Sequence, residues 1–540
     1  MASTPDLLLH PEPSTPNLSV GGRTREHLDV TWWGWALVVF ALFLVVVALY
    51  DVLQRKHAIL RNFPVVGHLR YLLEAIGPEL RQYIVTDNDS DKPFSRDQRR
   101  WVYTSAKRRD TYFGFGTDND LEGSSNYLVV KHASFPLLEP GADAADGPPD
   151  FRIPCAKVLG GPRGRRKAFR FESVVNISGM SYGSLSSSAV TALNQGAALA
   201  GCFQGTGEGG LTEFHRRGGD LVWQIGTGYF GCRDEQGDFS PERFRDVVDS
   251  TAAVRAIEIK LSQGAKPGLG GHLPGAKVTK QIAAIRGIPV GVDCVSPAAH
   301  TAFHDADSLL DFAEKLADVS GLPVGIKSAV GDDTLFHDLA RLMIAGERGI
   351  DFITIDGGEG GTGAAPLAFT DHVSLPFKVG FGRVYRIFAE AGLTDRVVFL
   401  GSGKLGFPET ALLAFALGCD GVNVGREAMF SIGCVQAQRC NTGRCPTGVT
   451  THSTWLTRGL DPALKAVRCA NYIVRLRQEL LQVSRACGKA HPSLVTLDDL
   501  EVLGDHFDSH AARDVFGYEA GWGSVSVSEA TTTTTTTPGA

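Results

Sequence analysis

Val397-Val-Phe-Leu-Gly-Ser-Gly-Lys-Leu-Gly406, followed after a helical stretch by Gly421-Val-Asn-Val-Gly-Arg426, is the passage on which the fold turns. Each half is a short apolar run that ends in glycine. The first half also matches G-x-G-x-x-G, which marks a dinucleotide fold when it follows that fold's first strand. Here it stands seventh in a series. The same unit, a β-branched run, a Gly-rich turn and a helical stretch, recurs at 174–178, 202–204, 221–225, 257–260, 324–327, 352–356, 397–401 and 421–424. Eight such strands alternating with helices predict an α/β protein, a parallel (β/α)8 TIM barrel. A ninth apolar run at 288–295 is assigned to an insertion after the fourth strand. Barrels of this kind gather their ligands at the C-terminal ends of the strands. The turn at Gly401–Gly406 and the pair Gly425-Arg426 then read as the two halves of a phosphate site after the last two strands, rather than as a Rossmann turn.

The 540 residues are 43% apolar and 21% charged, which is ordinary globular composition. A net charge of -6 with no long basic run gives no footprint for nucleic acid. Ten cysteines dispersed over the chain do not make a disulfide scaffold. Most, such as Cys155, Cys202 and Cys294, read as small buried apolar residues.

No charged residue lies between Trp32 and Tyr50, and Trp32, Trp33, Trp35 and Tyr50 mark the two ends as an aromatic belt does. Some thirty residues precede this run and no A-x-A site follows it, so it reads as a single transmembrane helix over 31–51 and not a cleaved signal. Arg55, Lys56, Arg61 and Arg70 outnumber Arg23 and Arg25, which favours a cytoplasmic body. Residues 1–30 and the Thr run at 531–537 are expected to be disordered. Residues 52–154 form an accessory segment with an amphipathic stretch from Leu69 to Ile84. Its patch Arg99-Arg100-Trp101 is either a structural collar or a contact with lipid headgroups. The barrel occupies 155–485, and 486–540 closes the chain.

Chemistry-bearing residues sit at the predicted strand ends. Lys260 ends the fourth strand and Lys327 the fifth, and a lysine in a barrel mouth needs an anionic ligand or a structural carboxylate. Cys434, Cys440 and Cys445, spaced C-x5-C-x4-C and followed by Pro446, offer three soft thiolates with no histidine nearby.

Four further segments occur in order. They are Met180-Ser-Tyr-Gly-Ser-Leu-Ser186, Thr206-Gly-Glu-Gly-Gly210, Lys260-Leu-Ser-Gln-Gly-Ala-Lys-Pro-Gly268 running on to Gly270-Gly-His-Leu-Pro-Gly275, and Gly358-Glu-Gly-Gly-Thr-Gly-Ala364. With the cysteine spacing, they resemble the FMN-binding domain of glutamate synthases over residues 155–455. The resemblance implies an FMN-binding barrel with a three-iron, four-sulfur (3Fe-4S) cluster on the three cysteines. It implies an oxidoreductase acting at a CH–NH2 bond, which reductively aminates 2-oxoglutarate with ammonia to L-glutamate while the cluster relays electrons.

The resemblance further implies roles for single residues. Lys327 would stabilise negative charge on the reduced flavin, and Lys260, Gln263 and Lys266 would lie near flavin and substrate. Glu208 would bind ammonium or organise its turn. Met180, Ser181, Gln224, Lys260, Lys327, Gly360, Gly361, Gly403, Gly425 and Arg426 would hold the cofactor. The chain departs from the large enzymes at its start, Met-Ala-Ser, where they carry a catalytic cysteine. Ammonia and electrons are therefore expected from solution, an amidotransferase partner, a ferredoxin-like donor or a membrane carrier. The family's His-Asp turn reads Gly358-Glu359 here, which leaves the amine acceptor open. Enzymes that join methylamine to glutamate share the same kind of barrel, and no motif separates the two products. A dehydrogenase of 2-hydroxy acids would need a His and Arg pair that Asp356 to Gly361 lacks. A non-catalytic flavin and iron–sulfur scaffold would have no reason to keep Glu208 and Lys266.

Overall fold

The computed structural model describes residues 32–137, 151–505 and 508–525, so the segments 1–30 and 531–537 lie outside the described residues. The chain divides into two compact units, Met1–Thr86 and Asp87–Ala540.

In the larger unit eight parallel strands close a barrel: β1 (Val175–Ile177), β2 (Gln204–Gly205), β3 (Leu221–Ile225), β4 (Val254–Lys260), β5 (Val324–Ser328), β6 (Phe352–Asp356), β7 (Val398–Ser402) and β8 (Gly421–Val424). β8 returns to β1 from Val422↔Val175 to Val424↔Ile177. Every residue of β3 and of β5 to β8 is buried. Parallel sheets are covered on both faces, which is why these strands read as unbroken apolar runs. β4 begins earlier than its predicted start, at Val254, and β5 runs one residue past Lys327. The ninth run contributes only Cys294–Val295, paired antiparallel with His272–Leu273 between β4 and β5, outside the barrel.

The barrel floor is apolar. Cys155, Leu159, Phe169 and Phe171, from the chain before β1, pack with Phe203, Val222, Ala256, Phe352, Val398 and Leu400 at the strand starts. Polar side chains are left for the opposite end. The helix Ser187–Ala200 starts where Ser186 Oγ accepts from Ala189 N at 3.1 Å, and it stops at Gly201 with φ 63°. The long helix Pro462–Ala486 packs so closely along it that a Cβ on Gly196 would stand 2.7 Å from Cys469 Cβ.

The stretch 52–154 is divided between the two units. On the barrel unit, Arg99 is buried and paired with Asp91 at 2.8 Å, and Trp101 Nε1 donates to Glu479 Oε2 at 3.0 Å. The Arg99-Arg100-Trp101 patch is thus a structural collar, because all three side chains have partners in the protein itself, Arg100 lying 4.6 Å over the Phe113 ring. The smaller unit contains α1 (Trp32–Leu53), α2 (Ala58–Asn62) and α3 (Gly67–Leu80). Among the described residues α1 alone is long and apolar enough to cross a membrane.

Candidate active site

Lys260 and Lys327 are register partners on β4 and β5, so their side chains leave the sheet on the same side. Adjacent ammonium groups repel, and each has a carboxylate. Lys260 Nζ meets Glu208 Oε1 at 2.8 Å and Gln263 Oε1 at 3.3 Å. Lys327 Nζ lies 3.6 Å from Asp356 Oδ2, an oxygen that also accepts from Gly264 N at 2.9 Å. Asp356, the last residue of β6, was not singled out from the sequence.

Glu208 stands in the turn after β2, in a slot walled by glycine. A Cβ on Gly226 would come within 2.7 Å of Glu208 Cβ, and one on Gly271 within 2.8 Å of its Oε1. Burial pushes the carboxyl upward, but Lys260 and then Lys266 outweigh it and hold the group down at about 2. Burial lowers the Lys266 ammonium, against the pull of Glu208. Lys266 Nζ donates to Gly270 O at 3.3 Å. Gln263 Nε2 reaches across to Gly361 O at 2.6 Å and ties the turn after β4 to the turn after β6. Gln224 is buried on β3, with Nε2 donating to Glu258 Oε2 at 2.6 Å, while Thr354 Oγ1 donates to the other oxygen at 2.7 Å. Met180 and Ser181 occupy the turn after β1, where Ser181 Oγ donates to Ser184 Oγ at 3.2 Å.

Gly360 and Gly361 follow β6, Gly403 follows β7 with φ 121°, and Gly425 and Arg426 follow β8. Arg426 donates to Glu359 O. Its guanidinium lies 4.7 Å over the Phe94 ring, and Lys404 Nζ lies 5.2 Å over the same ring. Burial lowers both cations from their ordinary values. Neither forms an ion pair among the described residues. Lys404, with φ 57°, was passed over in the sequence as one letter of a glycine turn. A Cβ on Gly425 would meet only Ser178 Cβ, at an ordinary 3.7 Å. The protein's own packing therefore does not demand glycine there. A narrow recess at the barrel axis is lined by Ser178, Gly179, Glu258, Lys327 and Asn423, and Asn423 Oδ1 is buried without a partner.

Glu359 serves the scaffold. Its oxygens accept from Phe377 N at 2.8 and 3.1 Å and cap the helix Phe377–Glu390.

The three spaced cysteines lie in the loop beyond β8. Tyr103 Oη donates to Cys434 O at 2.7 Å. The buried Lys277 donates to Cys440 O at 3.2 Å and to Ser184 O at 2.7 Å, joining this loop to the turn after β1. Burial pushes the Cys434 thiol up to about 12 and raises Cys440 as well, and the neighbouring thiols add to both shifts. Burial also opposes ionisation of Cys445, but hydrogen bonds from Thr447 and Thr450 outweigh it and lower that thiol.

Residues 158–490 match the family model described as a conserved region in glutamate synthase. The chain is 38% identical over 473 residues to the glutamate synthase large subunit-like protein YerD of Bacillus subtilis, a match over 82% of this chain and 89% of that protein. It is 30% identical over 403 residues to a glutamate synthase large subunit-like protein of Rhizobium meliloti, covering 71% and 87%. Identity to the archaeal-type glutamate synthase (NADPH) of Thermotoga maritima is 36% over 323 residues, and the chain spans 60% of the length of that relative. Among solved structures, a flavocytochrome b2 variant with benzoylformate matches 74% of this chain and 78% of its own at 13% identity. Its TM-score of 0.40 is too low to carry an argument, and the barrel rests on the strand pairing alone. A family match across the whole barrel, with one relative shared over 89% of its length, leaves one kinship: the chain belongs to the glutamate synthase family.

Proposed function

We propose that this chain is an FMN-dependent oxidoreductase that reductively aminates 2-oxoglutarate to L-glutamate. The observation that carries the reading is the group Glu208, Lys260 and Lys266 at the barrel mouth, a carboxylate held ionised by two buried cations. In the reaction ammonia displaces the carbonyl oxygen of 2-oxoglutarate as water, and the C=N bond then takes up a hydride at C2 and a proton at nitrogen. Lys260, Gln263 and Lys266 bind the two carboxylates of the substrate. Glu208, at about 2, is too weak a base to deprotonate ammonium at neutral pH, so it holds the cation electrostatically, and the proton that ammonium loses before the attack goes to water.

The residues present fit a flavin nucleotide. Arg426 and Lys404 supply half-buried positive charge that no ion pair among the described residues neutralises, Gly425 leaves backbone room beside them, and Asn423 Oδ1 offers an unused acceptor. Gly360, Gly361 and Gly403 would line the phosphate and ribityl chain with them. Met180, Ser181, Gln224, Lys260 and Lys327 surround the place of the ring. Lys327 there favours negative charge on its neighbour. Cys434, Cys440 and Cys445 fit a 3Fe-4S cluster. FMN when bound supplies the hydride chemistry and the cluster one-electron transfer. Electrons come from a ferredoxin-like donor or a membrane carrier, and ammonia from solution or an amidotransferase partner. α1 anchors the chain in a membrane, with the barrel on the cytoplasmic side.

The test is anaerobic. The purified chain is reduced, then given 2-oxoglutarate with and without ammonium while flavin absorbance and glutamate are followed. Reoxidation that needs both additions is the expected result. Reoxidation only with methylamine plus glutamate would assign the N-methylglutamate reaction instead, and silence with every substrate would leave a redox scaffold.

A further inference from the structure

We propose that α3 is a second membrane contact, an amphipathic helix lying in the plane of an anionic lipid surface beside the end of α1. The inference rests on reading α1 as a membrane span.

Leu69, Leu72, Leu73 and Ile76 recur at helical spacing along α3 and are 55%, 55%, 51% and 40% exposed. Residues three and four apart share one helix face, so this is a continuous apolar stripe left uncovered by the described residues. The opposite side carries the exposed pair Arg70–Glu74, 2.8 Å apart. In a chain of net charge -6, the stretch 54–86 holds Arg55, Lys56, Arg61, Arg70 and Arg81 against Glu74 and Glu79. Its local charge is thus positive (five minus two), complementary to anionic headgroups.

Depth is set by Asp51. A carboxylate inside the last turn of an apolar helix is expensive in hydrocarbon, so Asp51 marks the level at which α1 leaves the acyl core. Asp51 is fully buried. Its carboxylate accepts from Val65 N at 2.9 Å and pairs with His68 Nε2 at 2.9 Å. Gln54 Nε2 closes the same elbow by donating to Asp51 O at 3.0 Å and His57 O at 2.8 Å. The start of α3 is therefore pinned at the boundary that Asp51 defines, and its apolar stripe has the acyl–headgroup region beside it. Helices that combine an apolar face with a basic flank bind there.

The full chain in nanodiscs of neutral lipid, with and without phosphatidylglycerol, provides the test. A photoreactive benzoylphenylalanine replaces Val45, Leu73 or Glu74, one at a time, and the adducts are identified by mass spectrometry. About tenfold more lipid adduct at Leu73 than at Glu74, falling when phosphatidylglycerol is left out, is the expected result. Adducts from Leu73 to protein, or equal lipid labelling at Leu73 and Glu74, would overturn the proposal. Absence of lipid adducts at Val45 would remove the membrane reading of α1 itself, a separate failure. Asp51→Asn should lower labelling at Leu73 while leaving Val45 unchanged; an unaffected Leu73 would refute the elbow as the positioning device.

Discussion

The two halves of the barrel mouth handle charge in opposite ways. On the β2 to β6 side, Lys260 and Lys327 each face a carboxylate of the chain's own, Glu208 at 2.8 Å and Asp356 at 3.6 Å. On the β7 to β8 side, Lys404 and Arg426 share the face of one phenylalanine and form no ion pair among the described residues. Both cations are half-buried, and burial lowers them against the pull of the more distant Glu427 and Glu359. Under the proposed function the second half would hold an anion that stays, such as a cofactor phosphate. The first half is balanced by itself, and under the proposed function a substrate carboxylate entering it would compete with an internal partner, which suits a ligand that must also leave.

The sharpest way to break this division is Cys440→Ser. Lys277 ties the cysteine loop to the turn after β1, so the variant asks whether the metal loop and the mouth are one folding unit. Complete loss of the cluster's paramagnetic signal with FMN retained is the expected outcome; loss of both would make them inseparable. Next, Lys327→Met leaves Asp356 uncompensated and should slow glutamate formation by about a hundredfold to a thousandfold, the scale for removing one preorganised electrostatic group. Equal retention of FMN in that variant would separate catalysis from binding. Arg426→Ala or Lys404→Ala should act the other way round. Either should weaken FMN binding by about tenfold to a hundredfold, since a charge-assisted hydrogen bond is worth ~1.5–3 kcal/mol, as read by flavin fluorescence on release. Smallest is the acid response. Glu208 sits at about 2 against an ordinary 4.5, so its stabilisation is complete above 4.5 and is lost as pH falls from there towards 2. Denaturant-derived stability compared at about pH 5 and about pH 3 should show a drop that Glu208→Gln makes smaller by on the order of 1 kcal/mol.

Most of the barrel was legible because burial on both faces makes a parallel strand an unbroken apolar run. The short β2 was legible only through its place in the repeat. Lys260 and Lys327 stood out as charges closing such runs. The partner of Lys327 did not, since its bond to Asp356 is made by folding and not by spacing. Lys404 hid inside a glycine turn whose backbone conformation alone reveals its direction. The collar was ambiguous for a similar reason. A basic aromatic patch looks the same whether it meets a headgroup or, as Trp101 does, a glutamate 378 residues further along the chain. The division at Thr86 and Asp87 has no mark in composition at all.

The pairing of Lys260 with Lys327 also says where this chain tolerates change. Side chains alternate along a strand, so inserting or deleting one residue within β4 or β5 would turn a lysine from the mouth to the outer face. Of the 63 residues from 261 to 323 that join these strands, those beyond Lys277 carry no such constraint on length, whereas Gln263, Lys266 and Lys277 are held in place by their contacts. Lineages of this fold should therefore vary in length between Lys277 and β5 and keep both strands uncut, with the two lysines held in register on either side of the stretch that is free to lengthen.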